Sequence, residues 1–214
     1  MKNYHLVLGS QSPRRKELLA GLGFEFTVKV KDTAENYPSD LKVECVPEYL
    51  AQLKANALLA ELSEDELLIC ADTIVLLDGE IIGKPTSVAD ATEILKKLSG
   101  KTHQVITGVF IGSKSQQVTF SDTTLVSFKA ISEADIAYYI ENYHPFDKAG
   151  SYGIQEWIGY AFVEKLEGSY ANVMGLPTHR VLEELRGGLN KDTNTVSFNN
   201  KYYSNLNPFK DLLK

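Results

Sequence analysis

Asp72, with Thr73 beside it, interrupts the apolar run of residues 67–77 at a place where an unpaired charge would be costly to bury. It must find a partner or sit at the exposed end of a strand. A partly desolvated carboxylate beside a metal or a water is what general-base chemistry requires. The alternative is an aspartate that caps a neighbouring helix or pairs with a lysine for structure. Its neighbour Thr73 would point the other way on a regular strand.

A second anomaly lies near the N-terminus, where Ser12-Pro13 is a helix-start signal. Arg14 and Arg15 then fall at the second and third helical positions, where the helix dipole disfavours cations. Stability alone would favour Asp or Glu there. Exposed N–H groups, the Ser10 and Ser12 hydroxyls and two guanidinium forks together make a phosphate cradle. The plainer reading is a solvated helix end with two surface arginines.

Two further stretches carry the right residue types. Gly83-Lys84-Pro85 holds a lysine between two backbone punctuators just after a hairpin strand, which restricts where its ammonium can go. It is not a P-loop, and Lys84 taken alone reads more readily as an ordinary surface lysine. Residues 147–155 pack two glycines, two charges and an amide into one turn-like stretch that can lay backbone against a ligand or simply turn the chain. His103 and His179 lack a metal-site pattern and read as satisfied structural histidines, and Trp157 as a packing residue.

These groups need a scaffold, and the sequence supplies one. Residues 4–8 read as a short buried strand, followed by a helix with Leu18, Leu19 and Leu22 on one face and Gly23 as its stop. Residues 24–30 alternate as a second strand, and residues 31–46 are polar enough to form a long loop, a length that is often functional. A helix over residues 47–62 precedes the Asp72 strand, and Asp78-Gly79 turns that strand into residues 80–82. Ser87 and Asp90 form an approximate capping box for a helix that buries Val88, Ala91, Ile94, Leu95 and Leu98. Residues 103–111 and 117–128 fit a second hairpin, and Ser132 begins a helix with Ile136, Tyr139, Ile140 and Tyr143 on one side. A strand over 160–166 and a last helix over 176–185 complete an α/β chain with a mixed sheet flanked by helices.

The bulk properties narrow the function. With 214 residues, 43% of them hydrophobic, the chain can bury a sizeable core as one domain with two lobes. A formal net charge of -6 argues against a general hold on nucleic acid, although a small anion can still bind a local basic cluster. Cys45 and Cys70 form no metal or redox motif and read as free thiols in a reducing cytosol. The apolar run in the first eight residues is too short for a signal peptide or a membrane span, so the reading is a cytoplasmic protein with no membrane partner. Composition shifts after Gly187-Gly188 to an Asn-rich stretch, in which Tyr202, Tyr203 and Phe209 suggest some packing. We therefore divide the chain into a catalytic domain over 1–187 and a C-terminal extension over 188–214.

Taken in order, these segments resemble the Maf family of nucleotide pyrophosphatases. The matching stretches are Ser10-Gln11-Ser12-Pro13-Arg14-Arg15, Ala71-Asp72-Thr73-Ile74-Val75, Gly83-Lys84-Pro85, Leu98-Ser99-Gly100 with His103 and Thr107-Gly108-Val109, residues 147–155, and Gly175-Leu176-Pro177. The resemblance implies an elongated, two-lobed α/β fold related to that of inosine triphosphate pyrophosphatases, often dimeric, with a nucleoside triphosphate bound in the cleft. It implies that Asp72 is the catalytic base, that Arg15, Lys54 and Lys84 are phosphate ligands alongside the Ser10 hydroxyl of the cradle, and that Glu35 belongs to the metal or water network. It further resembles the branch acting on dTTP and UTP, whose preference is associated with the positions of Arg14, Thr73 and Gln155. Uracil and thymine present carbonyl acceptors beside an N–H donor, and an amide such as Gln155 can meet both. Glu156-Trp157 departs from the family, in which glycine is common after the amide.

The chemistry so implied is hydrolysis between the α and β phosphates, assisted by a divalent cation, Mg²⁺ or Mn²⁺. Charge neutralisation is the main task when a nucleophile approaches so anionic a substrate. The rival function is a nucleotide-responsive regulator of cell division or septum formation, with incidental hydrolysis.

Overall fold

Residues 4–188 are described by a computed structural model. In chain order the elements are β1 (His5–Leu8), α1 (Pro13–Gly21), β2 (Phe26–Val28), α2 (Val46–Leu59), β3 (Glu66–Leu77), β4 (Glu80–Ile82) and α3 (Val88–Leu98). They continue as β5 (Thr102–Gly112), β6 (Gln117–Phe128), α4 (Glu133–Tyr143), α5 (Trp157–Phe162), β7 (Val163–Glu167), α6 (Tyr170–Val173) and α7 (Thr178–Glu183). Residues 189–214, with Tyr202, Tyr203 and Phe209, lie outside the described residues, and with them all but the first position of the expected extension.

The strands form one mixed sheet in the order β2-β1-β3-β5-β6-β7, with β4 also on β3. β1 runs parallel to β2 and β3, and every other pairing is antiparallel. Asp78 and Gly79 both take positive φ, 52° and 84°, as a two-residue hairpin turn requires. One detail of this topology matters most. β1 pairs with β3 only as far as Leu8 opposite Ile69, whereas β4 pairs with it only from Val75 opposite Ile82. Residues 70–74 of β3 therefore have no strand neighbour on that edge, which leaves a notch in the sheet.

Alternation along β3 decides which side each residue serves. Leu67, Ile69 and Ala71 join Leu19 of α1 and Val181 of α7 in one core, while Val75 and Leu77, on the same face, join Leu95, Ile136 and Tyr139 in another. The two cores meet at the polar pair Thr73 and Thr107, so a single sheet carries two lobes. On the opposite face, Leu68 and Cys70 pack on Ala51, Ala55 and Leu58, and Ile74 and Leu76 pack on Val46 and Leu50, so α2, flanked by Leu41, Val43 and Leu62, covers that side. Each such leucine removed from water contributes roughly 1.5–3 kcal/mol. Gly108, opposite Asp72, lets α2 lie directly on the sheet: a Cβ there would fall 2.2 Å from the Glu48 nitrogen.

Several sequence expectations need correction. Residues 160–162 end a helix, α5, instead of beginning a strand, because Gly159 and Tyr160 donate their N–H groups to the Glu156 carbonyl and wind the chain first. The last helix starts after Pro177, not at Leu176, and is preceded by the separate turn α6. Val88 is 60% exposed and does not join the buried face of α3, since it occupies the first helical position. Ser87 accepts from the Asp90 N–H, but the Asp90 carboxylate reaches back to the Thr86 N–H, 2.8 Å away, one residue earlier than a capping box would. The second strand is confined to Phe26–Val28.

Candidate active site

The notch collects chain ends. Ser10 follows β1, Ser12 caps α1 by accepting from the Arg15 N–H, and Lys84 follows β4. α2 passes over one side carrying Lys54, and the long loop before it carries Glu35. These elements enclose a cavity of about 880 Å³. Asp72, Ser10, Arg15, Lys54, Lys84, Arg14, Thr73, Gln155 and Glu35 all line it, although they come from widely separated parts of the chain.

On the α2 side, the Lys54 ammonium donates to Asp72 Oδ1 and stands 2.8 Å from Glu35 Oε1. Asp72 is buried, so the pairing answers the cost of a charge within an apolar strand. Burial works against the charged Lys54, but Asp72 and Glu35 outweigh it and hold its pKa above the ordinary lysine value. Burial likewise opposes ionisation of Glu35, and the hydrogen bond from Lys54 reverses that, leaving its carboxyl below the usual range.

On the other side, Arg15 is held at three points. Its Nε donates to the Gly175 carbonyl at 2.8 Å, one terminal nitrogen to Thr73 Oγ1 at 3.1 Å, and the other to Ser10 Oγ at 3.3 Å. A guanidinium has five N–H donors, so one on each terminal nitrogen is left for an incoming anion. Burial lowers its pKa, partly offset by Asp72, from a value too high to matter near neutrality. The arginines that helix energetics disfavoured are thus oriented donors at a helix start.

The loop over 147–155 closes the cavity. Arg14 donates to Asp147 at 2.9 Å, and Lys148, itself buried, links Asp147 at 2.8 Å with Glu156 at 3.1 Å. Behind them the Tyr139 hydroxyl donates to the Glu156 carboxylate and accepts from the Gly153 N–H at 3.0 Å. Glu156, which stood out as a departure from the family, therefore fastens the loop that bears Gln155. Sequence reasoning did not single out Tyr139, Lys148 or Glu156 for a site role; two charges beside paired glycines were the only signal.

His103 is buried and 2.7 Å from the Tyr152 hydroxyl through Nε2, but Nδ1 has no partner, so it is only half satisfied. Burial pushes its pKa down to about 4. His179 stands 3.9 Å from Asp122 and does not line the cavity. Trp157 packs edge-on against Tyr138 and Phe162.

A cleft that gathers Arg14, Arg15, Lys31, Lys54, Lys84 and Lys148 around the carboxylates of Asp32, Glu35, Asp72 and Asp147 defines an α/β protein suited to bind a polyanion. Asp72 and Glu35, which share one ammonium, are also the pair that could approach a single hard cation. Among the described residues no group of three or more His, Cys, Asp or Glu side chains converges in this way.

Residues 5–187 match the family described as Maf-like protein, and the chain belongs to it. It is 52% identical over 189 residues to a dTTP/UTP pyrophosphatase of Porphyromonas gingivalis, covering 87% of this chain and 95% of the relative. Over 187 residues it is 52% identical to a protein of the same description from Phocaeicola vulgatus, at 87% and 97% coverage. A third such protein, from Flavobacterium johnsoniae, is 47% identical over 185 residues, at 86% and 95% coverage. Among solved structures, the Staphylococcus aureus Ham1 protein shows a partial likeness, with 17% identity and a TM-score of 0.41 over 58% of this chain and 71% of that one. No helix among the described residues is long and apolar enough to cross a membrane.

Proposed function

We propose that this chain hydrolyses dTTP and UTP to the corresponding monophosphate and pyrophosphate. The observation that carries the proposal is the notch itself, in which Asp72 is buried beside Lys54 while Arg15, Ser10 and Lys84 converge from other elements. The relatives' shared description supplies the substrate class.

In the proposed reaction, Asp72 accepts a proton from water as the water oxygen bonds to the α phosphorus. The bond from that phosphorus to the bridging oxygen breaks, and its electron pair leaves with pyrophosphate. Lys54, Lys84 and Arg15 bind the phosphates and stabilise the charge that develops on the leaving oxygen, and such fixed cations are commonly the largest contribution to catalysis of this kind. Asp72 and Glu35 would hold Mg²⁺ or Mn²⁺, since a small hard cation typically takes one or two carboxylates and completes its shell with phosphate and water oxygens. When bound, the cation supplies further neutralisation of the triphosphate. Arg14, Thr73 and Gln155 face the base in this reading.

A panel of nucleoside triphosphates assayed for pyrophosphate and monophosphate, with and without Mg²⁺ or Mn²⁺, tests the proposal. Release of pyrophosphate fastest from dTTP and UTP is the expected result. Tight binding without product would favour the regulator of cell division instead. Homodimerisation is proposed on the family resemblance and a cytoplasmic location on the two free thiols and the short apolar run at the N-terminus, and light scattering and cell fractionation test them.

A further inference from the structure

Thr107 is fully buried at the centre of the sheet, where two hydrophobic cores meet. Its hydroxyl lies 3.0 Å from the backbone carbonyl oxygen of Asn172. A carbonyl only accepts, so the single Thr107 hydroxyl proton is committed there. The Thr73 hydroxyl is 2.9 Å from Thr107 and must therefore be the donor of that pair. Thr73 in turn accepts from Arg15 at 3.1 Å. The hydrogens run in one direction, from Arg15 through Thr73 and Thr107 to Asn172.

The terminus of this relay is firmly held. Asn172 has no exposed surface, and its amide donates to the Val105 carbonyl at 3.0 Å and to Thr124 Oγ1 at 2.9 Å. The Thr73 proton is thus turned into the sheet, and the remaining lone pair is what Thr73 has to offer the cleft. Beside it the cavity wall is apolar, made by Val75, Val105, Tyr152, Ile154 and Met174, a surface suited to a flat ring.

We infer that Thr107 is a positioning residue that fixes Thr73 as a hydrogen-bond acceptor, so that the cleft favours a pyrimidine with an N–H at ring position 3 over one with a bare nitrogen there. Uracil and thymine carry that N–H, whereas the same atom of cytosine accepts and would meet a lone pair. The inference rests on the proposed pyrimidine triphosphatase activity and deepens it, because it assigns base choice to a buried hydroxyl that does not itself line the cavity.

The test compares kcat/KM for UTP and CTP in the wild-type protein, in Thr107→Val and in Thr107→Ser. In Thr107→Val the Thr73 hydroxyl loses its acceptor and can turn its proton into the cleft. The UTP-to-CTP ratio should then fall on the order of 10-fold, the size of one hydrogen bond's net contribution, with part of the change a gain on CTP. Thr107→Ser should keep the wild-type ratio. A purely structural role would slow both substrates alike, so an unchanged ratio in a folded Thr107→Val protein overturns the inference. Should that variant not fold, the wild-type protein is given the triphosphate of N3-methyluridine, which lacks the N–H. Turnover equal to that of UTP overturns the inference, and a loss on the order of 10-fold or more supports it. If the wild-type protein cleaves no pyrimidine triphosphate at all, the activity itself is refuted, which is a separate result.

Discussion

The Lys54 ammonium donates to Asp72 and at the same time sits 2.8 Å from Glu35, so one cation restrains two carboxylates at the mouth of the notch. In the proposed reaction a polyphosphate competes for that cation and so frees Asp72 to take a proton from water. Asp72→Asn keeps an oxygen for Lys54 but removes the basicity. Turnover of dTTP should fall on the order of 10²–10⁴-fold. Unfolding in urea should stay close to wild type, because Glu35 still pairs with Lys54, and so should nucleotide affinity measured without a divalent cation by titration calorimetry. Near wild-type pyrophosphate release from this variant would remove Asp72 from the role of base.

Gly108 is a second point at which one atom matters. It lies opposite Asp72 on β5, and a Cβ there would collide with the backbone of Pro47 and Glu48 at 2.2 Å. Backbone cannot rotate aside as a side-chain end can, so Gly108→Ala should lift the start of α2 from the sheet. Overpacking of this kind costs about 1–3 kcal/mol. Because α2 also carries Lys54, kcat should fall together with the urea midpoint. A variant that loses stability but keeps full kcat would show that Lys54 does not depend on the seating of α2.

Much of this arrangement was legible in the chain. The apolar run around Asp72, the Asp78-Gly79 turn and the Ser12-Pro13 start each have a local cause, and they fixed β3, its hairpin and α1 within a residue or two. The grouping of Arg15, Lys54 and Lys84 was reached only through family resemblance, since no local rule says that β1 and β4 stop short of one another along β3. Positions 160–162 misled because an aromatic and aliphatic run satisfies a strand and a short helix equally well. Thr107 entered only as part of a stretch matching the family and Asn172 not at all, because a buried hydroxyl's meaning lies in which carbonyl it meets, and that is a tertiary fact.

His103 makes stability depend on pH. Its pKa falls from 6.5 to about 4 on burial, so the folded protein keeps it neutral while the unfolded chain takes up a proton once pH drops below 6.5. Stability is therefore unaffected by this group above 6.5 and declines as pH falls towards 4. The decline should reach roughly 2 kcal/mol at pH 5. His103→Gln should flatten the slope between pH 7.5 and 5 in urea titrations. An unchanged slope would place the acid sensitivity elsewhere.

The two thiols should differ sharply in reactivity. Cys45 is exposed, whereas Cys70 is buried beneath α2, and burial raises its pKa to about 12. The thiolate is the reactive form, so at pH 8 Cys70 is almost entirely unreactive. Mass spectrometry after iodoacetamide treatment of the native protein should find Cys45 modified and Cys70 intact. Urea at denaturing concentration should expose both to equal labelling. Labelling of Cys70 in the native protein at a rate like that of Cys45 would mean that α2 opens readily from the sheet.

Tyr139 tests whether the loop bearing Gln155 must be fastened from behind. Its hydroxyl serves Glu156 and the Gly153 N–H, on either side of Gln155, and burial, reinforced by Glu156, keeps it protonated far above the usual tyrosine range. Tyr139→Phe keeps the ring stacked on Tyr143, with centroids 5.1 Å apart in the native protein, and removes only the hydroxyl. The Gly153 N–H and one Glu156 oxygen then lose their partner, a cost of about 1–3 kcal/mol. If Gln155 reads the base, KM for UTP should rise several-fold while kcat changes little, the pattern of lost binding common to ground and transition states. Steady-state kinetics alongside thermal denaturation separate the two effects. A destabilised Tyr139→Phe protein with an unaltered KM would mean that Gln155 finds its position without this anchor.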